Sequence, residues 1–329
     1  MRLTLLFVLF LLTSPIIRAT QNESRSQHLI VSVKNKDGNY VWGLHAKDFI
    51  VEENGSSQTI TELTASEAAV SVGILVDTSA SMYMALPGVK DTAEALVRAA
   101  KPQDEVMLMT FSSSFRVTQG FTTDRQKIIK KLHGLDTNGH CSSLVMDSII
   151  AAAKEMKGSK NRRRALVVFT DGQDNTGGSV SQVRGALLDQ EIALYFATTY
   201  YARTGGELPS RTPNVSVTTG VTYEMIVDGC SISLTNRPPV SVVQGTELRG
   251  LAEESGGHFV NLMIRSDNAW TKIAEVFLES LLTDVRGQYT LAYSTTNSAN
   301  GLGPAIRVRT SSPDYQVRMR REVTNATKP

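Results

Sequence analysis

The chain has 329 residues, of which 41% are hydrophobic and 20% charged, and its formal net charge is +2. This is the composition of a folded globular protein, and the length leaves room for two compact domains. So small a charge gives no electrostatic case for binding nucleic acid or an anionic membrane surface.

The first segment stands apart. Met1-Arg2 opens it with a positive charge, Leu3 to Leu12 is apolar except for Thr4, and Thr13-Ser14-Pro15 leads to a small residue at Ala19. The pattern predicts a secretory signal over residues 1–19, cut after Ala19. An uncleaved anchor is the alternative, although the apolar run is short for a membrane span. Removing 1–19 takes away Arg2 and Arg18 and no acid, so the formal charge falls to zero. The expected location is periplasmic, extracellular or at the cell surface. Two cysteines, Cys141 and Cys230, remain, and an even count in an exported chain permits one disulfide.

Residues 20–67 read as β-rich. His28 to Lys34 is rich in β-branched residues, and Asp48 to Glu52 and Gln58 to Leu63 follow, separated by turn signals at Asp37-Gly38-Asn39 and Glu53-Asn54-Gly55. The pattern then changes. Val70 to Val76 is a nearly continuous apolar run, as expected of a strand covered on both faces. Residues 84–100 show helical spacing through Leu86, Val89, Ala93, Leu96 and Val97. Buried strands are predicted at Glu105 to Phe111, Ala165 to Phe169 and Ile192 to Ala197, with helices at Asp124 to Leu132, Leu144 to Met156 and Ser181 to Gln190. Alternation of this kind implies an α/β fold with a doubly wound, mostly parallel sheet. The basic run Arg162-Arg163-Arg164 is read as a solvated turn before a strand.

Residues 198–245 break the rhythm with Thr, Ser, Gly and Pro, and are read as a long surface insertion. A helix at Gly245 to Glu254, stopped by Gly256-Gly257, and a strand at His258 to Met263 complete an α/β region spanning 68–265. The remainder, 266–329, reads as a helix at Asn268 to Thr283 and then strands at Gln288 to Ser294, Ala305 to Thr310 and Tyr315 to Arg321. The β segments at the two ends are each too few for a sandwich. They are expected to pair into one small β-domain with the α/β region inserted between them.

Chemistry concentrates at the predicted carboxyl ends of the strands, where open α/β sheets bind ligands. The first strand delivers Asp77, Ser79 and Ser81 into its loop, and the third delivers Asp171, followed by Gly172, which lets the chain turn sharply. Cys141-Ser142-Ser143, before the helix containing Asp147, offers further hydroxyls. An all-oxygen set of this kind suits a hard divalent cation. Asp or Ser after a strand can equally cap the next helix, so a lone D-x-S-x-S carries little; three pieces in order on the right elements carry more.

Asp77-x-Ser79-x-Ser81, the later hydroxyl loop and Thr170-Asp171-Gly172 resemble the metal-ion-dependent adhesion site of von Willebrand factor type A domains. The flanks resemble a bacterial group of exported proteins carrying this domain, through Gly43-Leu44, Asp48-Phe49 and Gln288-Tyr289. The resemblance implies that Ser79, Ser81 and Ser143 bind Mg²⁺ or Mn²⁺, that Asp77 and Asp171 bind it directly or through water, and that an Asp or Glu of a partner protein completes the site. The family's third motif has Thr after Gly-Gly; here Cys141-Ser142 stands in place of the glycines, Ser143 takes the Thr position by its spacing from Asp147, and Ser142 is the alternative ligand. A Cys141–Cys230 disulfide would tie the insertion to the rim of this site.

The competing functions are weaker. An aspartate-nucleophile phosphotransferase needs an acid two residues after Asp77, where Ser79 stands. No G-x-S-x-G elbow and no H-E-x-x-H spacing occurs, so the expectation is a binding module and not an enzyme. A structural protein in which the metal only stabilises the fold, and an adaptor for an intracellular ATPase, are the other readings; the secretory signal argues against the second.

Overall fold

The structure is a computed structural model that describes residues 25–64, 68–172, 178–202, 215–219, 222–227, 230–235, 242–265, 277–278, 281–295 and 305–319. The secretory pattern over 1–19 lies outside the described residues, as does most of the helix expected over 268–283; residues 281–286 are helical.

Four strands come first: β1 (Arg25–Lys34), β2 (Phe49–Glu53), β3 (Ser56–Gln58) and β4 (Ile60–Thr64). The α/β region follows in the order β5 (Val70–Asp77), α1 (Leu86–Ala99), β6 (Glu105–Phe111), β7 (Phe115–Thr122), α2 (Arg125–His133), α3 (Val145–Met156), β8 (Arg163–Thr170), α4 (Val180–Asp189) and β9 (Ile192–Ala202). After it come β10 (Val215–Thr219), β11 (Thr222–Val227), β12 (Cys230–Thr235), α5 (Val242–Glu254), β13 (Phe259–Arg265), β14 (Gln288–Thr295), β15 (Ile306–Thr310) and β16 (Gln316–Met319).

The central sheet runs β13-β9-β8-β5-β6-β7, parallel throughout except for the antiparallel edge strand β7. All eight residues of β5 are buried, which explains its unbroken apolar sequence. Successive side chains point to opposite faces. Val72, Ile74 and Val76 pack under α1 and α2, with Leu86, Val89, Leu96, Ile128 and Leu132. Leu75 faces the other way, with Met107, Met109 and Val168, and meets Val145, Ile149 and Met156 of α3 and Val183 and Leu187 of α4. The sheet is therefore covered on both sides, as a parallel sheet needs. At the end of α5, Gly257 crosses β9 so closely that a Cβ there would sit 1.9 Å from the Leu194 carbonyl oxygen. Only glycine fits this position.

The terminal strands do pair with one another. One sheet has the order β16-β1-β14-β4 and another β15-β2-β3, so each mixes strands from both ends of the chain. Leu29, Val31 and Val33 of β1, Phe49 and Val51 of β2, and Tyr289, Leu291 and Tyr293 of β14 share one core. Tyr289 ties the two ends together: its hydroxyl donates to the Val41 carbonyl at 2.8 Å and accepts from the Leu44 N–H at 3.2 Å. Its ring centroid lies 5.2 Å from that of Phe49. The Gly43-Leu44, Asp48-Phe49 and Gln288-Tyr289 signatures are thus parts of one packing unit.

Several expectations need correcting. Arg163 is not in a solvated turn. It begins β8 and is 3% exposed. Its guanidinium donates to the carbonyls of Thr64 at 3.1 Å, Gln288 at 2.5 Å and Arg286 at 3.3 Å, clamping both chain crossings between the β-domain and the α/β region. The burial lowers its pKa to about 10. The edge strand β7 has no counterpart in the sequence reading. The stretch expected as one strand from Gln58 to Leu63 is divided between β3 and β4, which lie in different sheets. The stretch read as a surface insertion begins within β9, which runs on to Ala202, and carries a three-stranded antiparallel sheet of order β10-β11-β12.

Candidate metal centre

The three sequence pieces meet at the carboxyl ends of β5 and β8. β5 ends at Asp77, which is 0% exposed. The chain then turns so that the Ser79 N–H donates to Asp77 Oδ1 at 2.9 Å. A short 3-10 turn over Ala80–Met82 carries Ser81, whose hydroxyl lies 3.1 Å from that of Ser79. Ser79 is buried and Ser81 half-buried.

The other Asp77 oxygen gathers the remaining pieces. Oδ2 accepts from the Ser143 hydroxyl at 2.7 Å and from the Thr170 hydroxyl at 2.6 Å. Ser143 is buried just before α3, while Ser142 is half-buried. Asp171 follows Thr170 at the end of β8 and is 8% exposed. Gly172 then adopts φ +81°, the left-handed turn that its lack of a Cβ allows, and its N–H donates to Thr170 Oγ1 at 3.2 Å.

Backbone hydrogen bonds hold the loops against one another. The Ala80 N–H donates to the His140 carbonyl at 2.9 Å, the Asn138 N–H to the Thr78 carbonyl at 3.0 Å, and the Leu144 N–H to the Ser112 carbonyl at 2.9 Å. Asn138 also donates from its side chain to the Ser112 hydroxyl at 2.7 Å. Sequence reasoning singled out neither Asn138, Ser112 nor the hydroxyl of Thr170. Thr170 stands beside Asp171 in a motif that had been noted, so its role was within reach; Asn138 and Ser112 carry no local signal.

The electrostatics are those of a crowded anionic site. Burial first, and then the negative charge of Asp171, raise the Asp77 pKa from 3.8 to about 6, against the opposing effect of hydrogen bonds from Thr170 and Ser79. Among the described residues no three His, Cys, Asp or Glu side chains cluster as a metal site; this centre has two carboxylates and its other donors are hydroxyls. An all-oxygen set with two neighbouring carboxylates fits a hard divalent cation.

The stretch that contains all these residues, 72–173, matches the family model of the von Willebrand factor type A domain. That match places the α/β region around this site, though not the whole chain, in the von Willebrand factor type A domain family. No curated protein matches the chain. Among solved structures, the conserved hypothetical protein BatB from Bacteroides thetaiotaomicron is similar at 19% identity, covering 64% of this chain and 98% of its own, with a TM-score of 0.47. An aerotolerance-related membrane protein from Bacteroides fragilis is similar at 20% identity, covering 65% of this chain and 98% of its own, with a TM-score of 0.46. Proximal thread matrix protein 1 from the mussel byssus, solved with a zinc-occupied MIDAS motif, shows 12% identity over 71% of this chain and 50% of its own, with a TM-score of 0.48. Likenesses this distant decide nothing about ligand or partner. Among the described residues no helix is long and apolar enough to cross a membrane.

Proposed function

We propose that this protein is an exported interaction module that holds Mg²⁺ or Mn²⁺ on Asp77, Ser79, Ser81, Ser143 and Asp171 and grips a partner protein through an Asp or Glu side chain. The observation that carries the reading is the state of Asp77: a fully buried carboxylate, raised to about 6, beside a second carboxylate and a set of hydroxyls. A buried anion without a countercharge is costly, and a bound cation removes that cost. Mg²⁺ retains exchangeable water, so a partner carboxylate can join it. Adhesion or assembly on the outer side of the membrane follows if residues 1–19 direct export.

The same geometry argues against the phosphotransferase reading. Asp77 is 0% exposed and both its oxygens accept hydrogen bonds, from Ser79 on one side and from Ser143 and Thr170 on the other. That is a poor position for a nucleophile. The alternative in which the metal serves only the fold is separated by experiment. Isothermal titration of the mature protein with Mg²⁺ and Mn²⁺ is expected to show one bound ion, lost in Asp77→Ala and Asp171→Ala. The loaded wild type is then titrated with a Glu-containing peptide. Ion binding without peptide binding would favour the structural role, and no ion binding would refute the metal centre.

A further inference from the structure

The Cys141–Cys230 disulfide links two elements far apart in the chain, 89 residues from one cysteine to the other, with the Cα atoms 5.4 Å apart. Cys141 lies two residues before Ser143, whose hydroxyl is bonded to Asp77. Cys230 begins β12 and is 3% exposed, whereas Cys141 is exposed. β12 is paired along its whole length with β11, which in turn pairs with β10, so Cys230 is set in a sheet and not in a free loop. β12 also packs against the Ala80–Met82 turn that carries Ser81. The insertion sheet therefore touches the first loop by packing and the third loop by a covalent bond.

The third loop is also held from within the α/β region, where the Asn138 side chain donates to the Ser112 hydroxyl and the Ser143 hydroxyl to Asp77. Leu144, the N-cap position of α3, makes no side-chain cap hydrogen bond. The loop is held to its neighbours by the backbone bonds from Ala80, Asn138 and Leu144 already described. Loop hydrogen bonds of this kind open locally, and a covalent tie beside them narrows the placements the loop samples. That covalent tie is to the β10-β11-β12 sheet, through the Cys141–Cys230 bridge.

We propose that the Cys141–Cys230 disulfide is a positioning element of the metal centre: it holds the Ser143 loop against Asp77 and seats the β10-β11-β12 sheet beside the rim as part of the surface that meets the partner. This rests on the metal-binding reading, and it makes affinity for the ion depend on a bond that no ion touches. Groups that orient metal ligands from behind typically contribute 10- to 100-fold in affinity.

The test compares wild type with Cys141→Ser/Cys230→Ser. Two measurements are made at a temperature where circular dichroism shows both fully folded: Mn²⁺ affinity by titration, and amide hydrogen exchange of Ala80, Asn138 and Leu144 in the metal-free proteins. The double variant is expected to bind Mn²⁺ about 10-fold more weakly or worse, and to lose protection at these three amides while β5 and β8 exchange as in wild type. Equal affinity and equal protection would overturn the proposal, leaving the disulfide a staple of global stability. Loss of Mn²⁺ binding in wild type itself would refute the metal reading, and the exchange data would still decide whether the bridge orders the loop. If the double variant fails to fold, the same exchange measurement on wild type treated with a phosphine reductant under native conditions replaces it, with the same two outcomes.

Discussion

Replacing Asp77 by Asn is expected to stabilise the metal-free protein at neutral pH and to destabilise it in acid. In the folded state the Asp77 pKa is raised from 3.8 to about 6, first by burial and then by Asp171. Because the folded value lies above the unfolded one, the protonated form contributes stability that is complete below 3.8 and lost as pH rises through about 6. The gap corresponds to about 3 kcal/mol once both states are ionised, of which roughly 2 kcal/mol is lost between about pH 4.5 and 7.5. Asn carries no charge at any pH and so escapes this loss. It weakens the hydrogen bonds that Ser79, Ser143 and Thr170 donate, at a cost of about 1–2 kcal/mol. The difference between variant and wild type should thus move by roughly 2 kcal/mol in favour of the variant across that range. Urea unfolding in the presence of a chelator, repeated at both pH values with the disulfide intact, measures it. Taking the difference cancels the titration of other groups. Saturating Mg²⁺ at pH 7.5 should then reverse the order, since an ion at 100 times its Kd adds about 2.7 kcal/mol to the wild type alone. A difference that stays constant with pH to within about 0.5 kcal/mol, the usual reach of surface effects, would show that Asp77 is not an uncompensated buried anion.

Arg163→Met should lower stability by about 2–4 kcal/mol, because three carbonyls lose a charged donor. Limited proteolysis should then cut near residues 64–68, where the chain crosses between the β-domain and the α/β region; resistance equal to wild type would contradict the clamp. Gly257→Ala should cost more than about 4 kcal/mol or prevent folding, since the added Cβ would meet the rigid Leu194 carbonyl. Gly73→Ala, where the Cβ meets the movable ends of Leu166 and Met156 at 3.0 and 3.1 Å, should cost about 1–3 kcal/mol by thermal unfolding. Tyr289→Phe should cost about 1–2 kcal/mol through the bonds lost to Val41 and Leu44 and leave Mn²⁺ affinity unchanged; a change in affinity would reveal coupling between the β-domain and the rim.

What could be read in the sequence depended on how far burial was a local matter. β5, β6 and β8 are apolar along their length because helices cover both faces, and their composition alone identifies them. β7 is an edge strand whose first residues Phe115, Arg116 and Val117 are exposed, so its sequence shows no buried face to recognise. β10 to β12 were hidden by their Ser and Thr content, although Val215-Ser216-Val217 carries the β-branched signal of a strand. Arg163 failed for a different reason: its partners are carbonyls near residues 64 and 288, contributed by segments more than 90 positions away, and no local pattern reports them.

The site follows the same division. Asp77, Ser79 and Asp171 lie at short distances from the ends of buried strands and Ser143 just before α3, so the local sequence pattern carries their positions. The grip between the loops is not local. Asn138 reaches Ser112 across 26 residues, and Cys141 reaches Cys230 across 89. The oxygen donors are thus written in short motifs, while the forces that hold them in register come from loop and insertion residues with no motif of their own. Substitutions at Asn138 or Cys230 should accordingly alter ion affinity while every motif residue remains in place. The third loop gives up glycine at Cys141 and Ser142 and yet places Ser143 on Asp77 at 2.7 Å. The side chains at 141 and 142 and the covalent tie beside them both reduce the freedom the unfolded chain loses when Ser143 settles on Asp77, so the bridge is expected to hold this loop in register.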